Sequence, residues 1–222
     1  MMTIREAVKW GAKRLRDNNV DNADHDSFEL LSAINGMTRT FYLVNGDSML
    51  SEENFLLYEE YIDKRAAHVP LQHILGKAYF YGYEFEVNED VLIPRPDTEV
   101  LVGEVIKVTR NGDNILDMCT GSGCILISIL KERADAHGTG VDLSDEALKV
   151  AVRNARTLGV VEHTEFVQSN LFSEMQNTVY GTEYMKRTAV KDTVKMTECE
   201  NSNRNYSRAY DMIISNPPYI PT

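Results

Sequence analysis

A glycine-rich turn near the middle of the chain contains residues suited to holding a ligand. Residues 117–123 read Asp-Met-Cys-Thr-Gly-Ser-Gly and lie between a predicted strand and a predicted helix. Gly121 and Gly123 carry no Cβ, so the backbone there can approach a ligand closely. The free N–H groups at the start of the helix would face that ligand. Such turns are common in α/β folds, however, and the dinucleotide-binding pattern is only partly matched.

A carboxylate follows the turn at a spacing typical of nucleotide binding. Asp142 ends the next predicted strand, about 20 residues beyond the glycines. At the carboxyl edge of a parallel sheet it would stand beside the turn and accept hydrogen bonds from both hydroxyls of a ribose. The alternative role is to cap the following helix, but Ser144 already stands at that position. The spacing therefore favours ribose binding.

A third motif follows another predicted strand. Residues 216–219 read Asn-Pro-Pro-Tyr and come after the apolar segment 212–214. A side-chain amide, a rigid proline corner and an aromatic ring would then stand at the carboxyl edge of the sheet, where open α/β sheets bind their ligands. Alone the motif is also typical of a plain proline-rich turn. Beside the glycine-rich turn and Asp142, it indicates a second part of the same site.

The elements that must position these motifs are short apolar strands alternating with helical patterns. From residue 114 onward this alternation predicts an α/β domain with a parallel, doubly wound, Rossmann-like sheet. Residues 1–75 have apolar residues at helical spacing and predict a helical bundle. Residues 76–96 are rich in aromatic and β-branched residues and predict a β-hairpin linker. The sheet domain is expected over 97–222, with a polar surface insertion at 175–209.

Composition and charge restrict the class of protein. The 222 residues are 43% hydrophobic and 26% charged, which is typical of a globular protein that buries its own core. The net charge of −11 argues against nucleic-acid binding. With no secretory signal, the three cysteines indicate free thiols in the cytoplasm. No apolar stretch is long enough for a membrane span, and the five histidines lack metal-ligand spacing.

Together the segments DMCTGSG, GVDLS and NPPY resemble S-adenosylmethionine-dependent methyltransferases that act on a planar amino or amide nitrogen. The segments PLQHILG, YFYGYEFEV and LIPRPDTE are similar to the HemK/PrmC family, and the match runs to Thr222 apart from the insertion. This resemblance implies methylation of the glutamine side-chain amide nitrogen in the Gly-Gly-Gln motif of peptide chain release factors. The alternative is a nucleic-acid amino methyltransferase of the adenine N6 type, against which the acidic charge and the helical domain argue.

The resemblance also implies a set of cofactor-binding residues. The glycine-rich turn would surround the methionine part of the cofactor, Asp142 would hold the ribose, and the pair after the next strand would contact the adenine. The full set is Cys119, Thr120, Gly121, Ser122, Gly123, Asp142, Asn170, Leu171 and Asn216. The family often has glycine in place of Cys119, and a side chain as small as cysteine is expected to do little harm. It often has aspartate in place of Asn170, whose oxygen can still accept from the adenine amino group.

The catalytic residues implied by the resemblance are Asn216, Pro217, Pro218 and Tyr219. The Asn216 side-chain oxygen and the Pro217 carbonyl would accept the two N–H groups of the substrate amide, and Tyr219 would pack on its plane. The methyl group of the cofactor is already activated, so neither a metal nor a covalent nucleophile is expected. Arg95 and Glu99 are expected near the site in a supporting role, or in a salt bridge that fixes the hairpin.

Family members continue beyond the NPPY motif with further strands that complete the sheet, whereas this chain ends at Thr222. The chain is therefore expected to be a fragment whose last strand forms an open edge. A third hypothesis follows, in which a truncated and inactive chain only binds a partner. The expected partner is a peptide chain release factor, and the expected state is a monomer in the cytoplasm without membrane contact.

Overall fold

The computed structural model describes residues 2–171 and 210–217, and its contacts divide the chain into two compact units. The first unit is Met1–Gly76 and the second is Lys77–Thr222. The predicted insertion, 175–209, lies outside the described residues, as do two predicted catalytic residues, Pro218 and Tyr219.

The first unit is helical. Its helices are α1 (Ile4–Asp17), α2 (Ala23–Asn35), α3 (Arg39–Asn45), α4 (Glu52–Ala66) and α5 (Leu71–Leu75). A capping box starts α1: the Thr3 hydroxyl accepts from the Glu6 N–H, and the Glu6 carboxylate accepts from the Thr3 N–H. Serine is a favoured helix cap, and the Ser51 hydroxyl caps α4 by accepting from the Asn54 N–H.

The core of this unit lies between α1, α2 and α4, which contact one another along their apolar faces. Tyr58 is fully buried there, and its hydroxyl lies 2.7 Å from the Ser27 hydroxyl. Asp26 is also buried, and it forms an ion pair with Arg65 at 2.7 Å. The amphipathic spacing in the sequence thus produces a bundle whose few buried polar groups are paired.

The second unit opens with an antiparallel hairpin and continues as alternating strands and helices. Single 3-10 turns occur at Pro96–Thr98 and Val161–His163. The strands and helices are β1 (Lys77–Phe80), β2 (Tyr83–Glu86), α6 (Glu99–Val108), β3 (Asn114–Met118), α7 (Cys124–Glu132), β4 (His137–Asp142), α8 (Asp145–Thr157), β5 (Thr164–Gln168) and β6 (Met212–Ser215).

The sheet of the second unit confirms the predicted α/β class. Its strand order is β5-β4-β3-β6, and every neighbouring pair is parallel. β3 and β4 lie in the middle and are almost entirely buried, whereas β6 is the edge strand of the described sheet. None of the helices in the two described ranges combines the length and the apolar character needed to cross a membrane.

The hairpin packs into the core of the second unit. Phe80 and Phe85 are buried with their ring centroids 6.2 Å apart, in one cluster with residues of α6 and α7. Its turn contains Tyr81 at a φ of 50°, a strained conformation for a side chain of that size. The carboxylate of Glu99 accepts a hydrogen bond from the Tyr81 N–H at 2.9 Å. Glu99 thus fixes the hairpin through its turn.

Candidate functional site

The pairing of the parallel strands brings the three sequence motifs to one edge of the sheet. Met118, the last residue of β3, pairs with Val141 on β4 and with the last residue of β6. The residues that follow, Cys119, Asp142 and Asn216, therefore stand at the same level on three adjacent strands. Adjacent strands lie about 4.8 Å apart. A ligand that crosses the end of β3 would thus reach both Asp142 and Asn216.

The Asp142 carboxylate is bonded directly to the glycine-rich turn. Its Oδ2 accepts from the Gly121 N–H at 2.9 Å, and its Oδ1 accepts from the Ser144 N–H at 3.0 Å. The Ser144 hydroxyl caps α8 by accepting from the Ala147 N–H at 3.1 Å. Each carboxylate oxygen keeps a lone pair for one more donor. Asp142 can therefore hold the turn and accept from a ligand at once.

The shape of the turn depends on residues with a left-handed backbone. The φ angles are 61° at Cys119, 55° at Gly121 and 78° at Gly123. Nothing lies within 4 Å of the position that a Cβ on Gly121 would take, whereas a Cβ on Gly123 would come within 3.2 Å of the Ala151 Cβ. Gly123 therefore allows close packing of the turn on α8, and Gly121 leaves open space over the turn.

The left-handed backbone at Cys119 offers a test of the expectation that cysteine does little harm in place of glycine. An L-residue in the left-handed region costs about 1–2 kcal/mol, and glycine at this position would avoid that cost. The greater freedom of glycine in the unfolded chain would offset about 0.5–1 kcal/mol of this gain. We expect Cys119→Gly to raise the free energy of unfolding by about 0.5–1 kcal/mol in urea denaturation. Cys119→Ala keeps the strained conformation, so an equal gain in that variant would contradict the explanation.

A second carboxylate, Asp117, lies buried on β3 next to the turn. The Thr120 hydroxyl donates to its Oδ2 at 2.7 Å, whereas its Oδ1 has no partner at good hydrogen-bonding geometry within the described residues, although the nearby Leu126 N–H lowers the pKa of the carboxyl somewhat. Burial raises the pKa of Asp117 to about 7, and the negative charge of Asp142 acts in the same direction. A cationic ligand at this edge would favour the ionised carboxylate. The sequence motif includes Asp117 but does not reveal its burial.

The raised pKa of Asp117 predicts an unusual pH dependence of stability. Between the ordinary aspartate pKa and about 7, the folded chain holds a proton that the unfolded chain has lost, so stability falls as the pH rises through this range. Asparagine has no such titration. We therefore expect the free energy of unfolding of Asp117→Asn, relative to that of wild type, to rise by more than about 1 kcal/mol between about pH 4 and pH 8. Urea denaturation over this pH range measures the difference.

A matched control for this titration is Asp135→Asn, because Asp135 is an exposed carboxylate of the same unit. Its stability relative to wild type should stay nearly constant over the same pH range. A constant difference for Asp117→Asn as well would mean that Asp117 is ionised in the folded chain throughout.

The amide of Asn216 is held by a residue from the LIPRPDTE segment. Its Nδ2 donates to the hydroxyl of Thr98 at 3.3 Å, and Thr98 is buried. By its place in the sequence either Asp97 or Thr98 could cap the helix that follows, but the Thr98 side chain makes no cap bond to α6. Ser215 fixes the end of β6 by donating to the Met118 carbonyl at 3.0 Å. The Asn216 oxygen is left as an acceptor, next to the exposed Pro217.

Two exposed leucines lie at the same edge of the sheet, after the ends of β4 and β5. Leu143, directly after Asp142, is 67% exposed, and Leu171, just beyond β5, is 56% exposed. Asn170 is exposed beside Leu171. Apolar side chains on neighbouring strand ends are suited to a flat aromatic ligand. The sequence interpretation missed Leu143, although an apolar residue directly after a strand-ending aspartate is a usable signal.

The thiols next to the turn are poor nucleophiles. Burial raises the pKa of Cys119, with the charges of Asp142 and Asp117 acting in the same direction. Burial also raises the pKa of Cys124 to about 12. The described parts of the chain contain no group of His, Cys, Asp and Glu arranged to hold a metal ion. The edge is therefore equipped with acceptors and backbone donors rather than with a covalent nucleophile.

Comparison with protein families gives a match in each unit. Residues 6–76 match the model described as the PrmC N-terminal domain, which coincides with the helical unit. Residues 109–186 match the model described as a methyltransferase domain. That range includes the glycine-rich turn, Asp142 and the exposed pair after β5.

Curated relatives match the chain over its length. A release factor glutamine methyltransferase of Caulobacter vibrioides is 33% identical and is matched over 100% of this chain and 68% of its own length. The enzyme of that name from Geobacter sulfurreducens is 33% identical over 99% of this chain and 66% of its own length. That from Bacillus cereus is 32% identical over 99% of this chain and 68% of its own length.

Among solved structures, the S-adenosyl-L-homocysteine complex of a SAM-dependent methyltransferase from Thiobacillus denitrificans is 29% identical. The match covers 34% of this chain and 30% of that one, with a TM-score of 0.30.

Proposed function

This chain belongs to the release factor glutamine methyltransferase family, and we propose that it methylates the side-chain amide nitrogen of a glutamine in a peptide chain release factor. The methyl donor is S-adenosylmethionine, and the glutamine is that of the Gly-Gly-Gln motif. The observation that carries the proposal is the shared edge of the sheet, where Asp142 and Asn216 stand at one level on either side of the glycine-rich turn.

The residues at this edge fit S-adenosylmethionine. The open space over Gly121 leaves room for the methionine part, which the turn 119–123 would surround with backbone donors. Asp142 would accept from the ribose hydroxyls with its remaining lone pairs. The two exposed leucines would cover the adenine, and Asn170 would accept from its amino group. The unpartnered oxygen of Asp117 favours a cation nearby, and this cofactor carries positive charge.

The residues of the chain would act mainly by aligning the acceptor nitrogen. When bound, the cofactor supplies a methyl group that its sulfonium sulfur has already activated. A glutamine amide nitrogen is a poor nucleophile, because its lone pair is delocalised into the carbonyl. Asn216 Oδ1 and the Pro217 carbonyl would accept both of its N–H groups, which fixes its orientation and raises its electron density. Tyr219 would pack on the plane of the amide.

Thr98 supports this role because its hydroxyl contacts the Asn216 amide and accepts from Nδ2. With Nδ2 donating to Thr98, Oδ1 is the atom that remains for the substrate. In the opposite orientation the N–H donors of Asn216 would face the N–H donors of the glutamine, and no hydrogen bond could form between them. The surplus proton can leave the nitrogen to solvent after transfer, so the site needs no strong base.

The helical unit is proposed to bind the release factor. Its short helix α3 has no buried residue and exposes Phe41, Leu43 and Val44 by 46%, 67% and 75%. Met49, in the segment that follows, is 59% exposed. Apolar side chains grouped on a short exposed segment are suited to cover by a protein partner. This surface supports a protein substrate over a nucleic acid, as does the net charge of −11.

The proposed setting follows from the substrate. A release factor acts in translation, so we propose that the chain works in the cytoplasm as a monomer that meets the release factor directly. Light scattering of the chain alone tests the oligomeric state, and a stable dimer would contradict this part of the proposal.

The function is tested by transfer of labelled methyl from S-adenosylmethionine to purified macromolecules. The chain is mixed in turn with an unmethylated release factor, with the same factor carrying alanine in place of the Gly-Gly-Gln glutamine, and with DNA and RNA. Label is expected on the unaltered release factor alone. Label on DNA or RNA would overturn the proposal in favour of a nucleic-acid amino methyltransferase, and equal label on both release factors would exclude the glutamine.

A further inference from the structure

The side chain of Asn154, on the last turn of α8, is 2% exposed and bonds three backbone groups. Its Oδ1 accepts from the Glu86 N–H at 2.7 Å, and its Nδ2 donates to the Glu86 carbonyl at 3.0 Å. The second hydrogen of Nδ2 goes to the Ser122 carbonyl at 2.9 Å. One side chain thus joins three separate elements: the end of β2, helix α8 and the glycine-rich turn.

The chemistry of an amide is required at this position. Asn154 pairs with Glu86 as a peptide group of a neighbouring strand would, with one N–H and one C=O exchanged. Two carbonyls and one N–H have to be satisfied, so a single amide orientation serves all three. An aspartate carboxylate has no N–H to donate, so one of its oxygens would face the two carbonyls, which are also acceptors. Leucine would leave three buried backbone groups unpaired.

The same face of α8 also sets the position of the turn by packing. A Cβ on Gly123 would come within 2.8 Å of Ile127 Cδ1 on α7 and within 3.2 Å of the Cβ of Ala151, one helical turn before Asn154, so the turn packs closely on both helices. The Ser122 carbonyl held by Asn154 is directly before Gly123 and directly after Gly121, whose N–H bonds Asp142. The turn is thus held from α8 on one side and from β4 on the other.

We infer that Asn154 is a positioning residue for S-adenosylmethionine: it fixes the Ser122 carbonyl and so holds the glycine-rich turn in the conformation that binds the cofactor. The inference rests on the proposed function, because it takes the turn to be the cofactor site. It also joins the hairpin to that site, since the Glu86 backbone shares the amide. Asn154 itself touches neither the cofactor nor the substrate in this account.

The test measures cofactor affinity without methyl transfer. S-adenosylhomocysteine is titrated calorimetrically into wild type, Asn154→Leu, Asn154→Asp and Arg153→Ala, well below the melting temperature of each. Arg153 is the matched control, because its ion pair with Glu86 at 2.7 Å joins α8 to β2 without contacting the turn. We expect both Asn154 variants to bind at least about tenfold more weakly, and Arg153→Ala to bind within about twofold of wild type.

Hydrogen exchange of the Gly121 N–H gives a second readout. It should be faster in the Asn154 variants than in wild type, because the turn is released on the α8 side. A purely structural role would lower the melting temperature and leave the affinity and the exchange of the folded molecules unchanged, which would overturn the inference. If Asn154→Leu does not fold, Asn154→Asp decides the question. Failure of wild type to bind S-adenosylhomocysteine would instead overturn the proposed function, and the inference with it.

Discussion

Replacing Asn216 with alanine is expected to slow methyl transfer by at least about a hundredfold, while cofactor affinity changes by less than about tenfold. The reason is that its amide oxygen is proposed to orient the acceptor nitrogen, a contribution needed chiefly in the transition state. Alanine removes that acceptor and also the bond to Thr98. Single-turnover transfer to a release factor at saturating cofactor measures the rate, and calorimetry measures the affinity.

Two further variants separate alignment from simple damage to β6. Ser215→Ala removes the neighbouring bond to the Met118 carbonyl but no acceptor for the substrate, so it should slow transfer by less than about fivefold. Thr98→Ser keeps a hydroxyl for Asn216, whereas Thr98→Val has none. The serine variant should therefore transfer the methyl group faster than the valine variant. If Ser215→Ala were as slow as Asn216→Ala, the effect would belong to the strand end and not to the amide.

Replacing Asp142 with alanine is expected to weaken S-adenosylmethionine binding by at least about a hundredfold. Hydrogen bonds to a charged acceptor contribute about 1.5–3 kcal/mol each, and Asp142 is proposed to accept from two ribose hydroxyls. Its bond to the Gly121 N–H would be lost as well, which loosens the turn. At saturating cofactor, the transfer rate should fall by less than about tenfold, because Asp142 does not contact the acceptor nitrogen.

The control for Asp142 is Asp145, a carboxylate close by in the sequence at the start of the following helix. Asp145 starts α8 and pairs with Lys149 at 2.8 Å. Asp145→Asn should bind the cofactor within about threefold of wild type. Asp142→Asn keeps one oxygen acceptor and should fall between wild type and Asp142→Ala. An equal loss in the Asp142 and Asp145 variants would point to general electrostatics in place of ribose binding.

Much of the sheet could be predicted from the sequence, because its strands are short apolar runs bounded by turn residues. The run NILDM is β3 in full, and the predicted strand at 138–143 differs from β4 by one residue at each end. Strands buried on both faces need such continuous runs, and parallel pairing then brings their carboxyl ends together. The common edge of the three motifs therefore follows from the sequence pattern.

Local helix signals were less reliable where tertiary contacts compete with them. The pair Asp26 and Glu29 resembles a capping box and predicts a helix start there, but α2 begins at Ala23. Asp26 instead lies inside the helix and pairs with Arg65, which is 39 residues away in the chain. A buried ion pair of that separation leaves no trace in the local pattern.

The contacts that shape the site are also distant in sequence. Asn154 bonds Glu86 across 68 residues and Ser122 across 32, and Asn216 bonds Thr98 across 118. In the sequence Asn154 is simply a polar residue in the helical pattern of α8. The left-handed backbone at Cys119 was hidden for a different reason, because a small side chain does not report its φ angle.

The most direct test of the central claim is the position of the methyl group on the product. A release factor is incubated with the chain and S-adenosylmethionine, digested, and sequenced by tandem mass spectrometry. The account predicts one added methyl on the side chain of the Gly-Gly-Gln glutamine, formed at least about a hundredfold more slowly when Asn216→Ala replaces wild type. A methyl group on any other residue, or no methylation by a chain that binds S-adenosylhomocysteine, would contradict it.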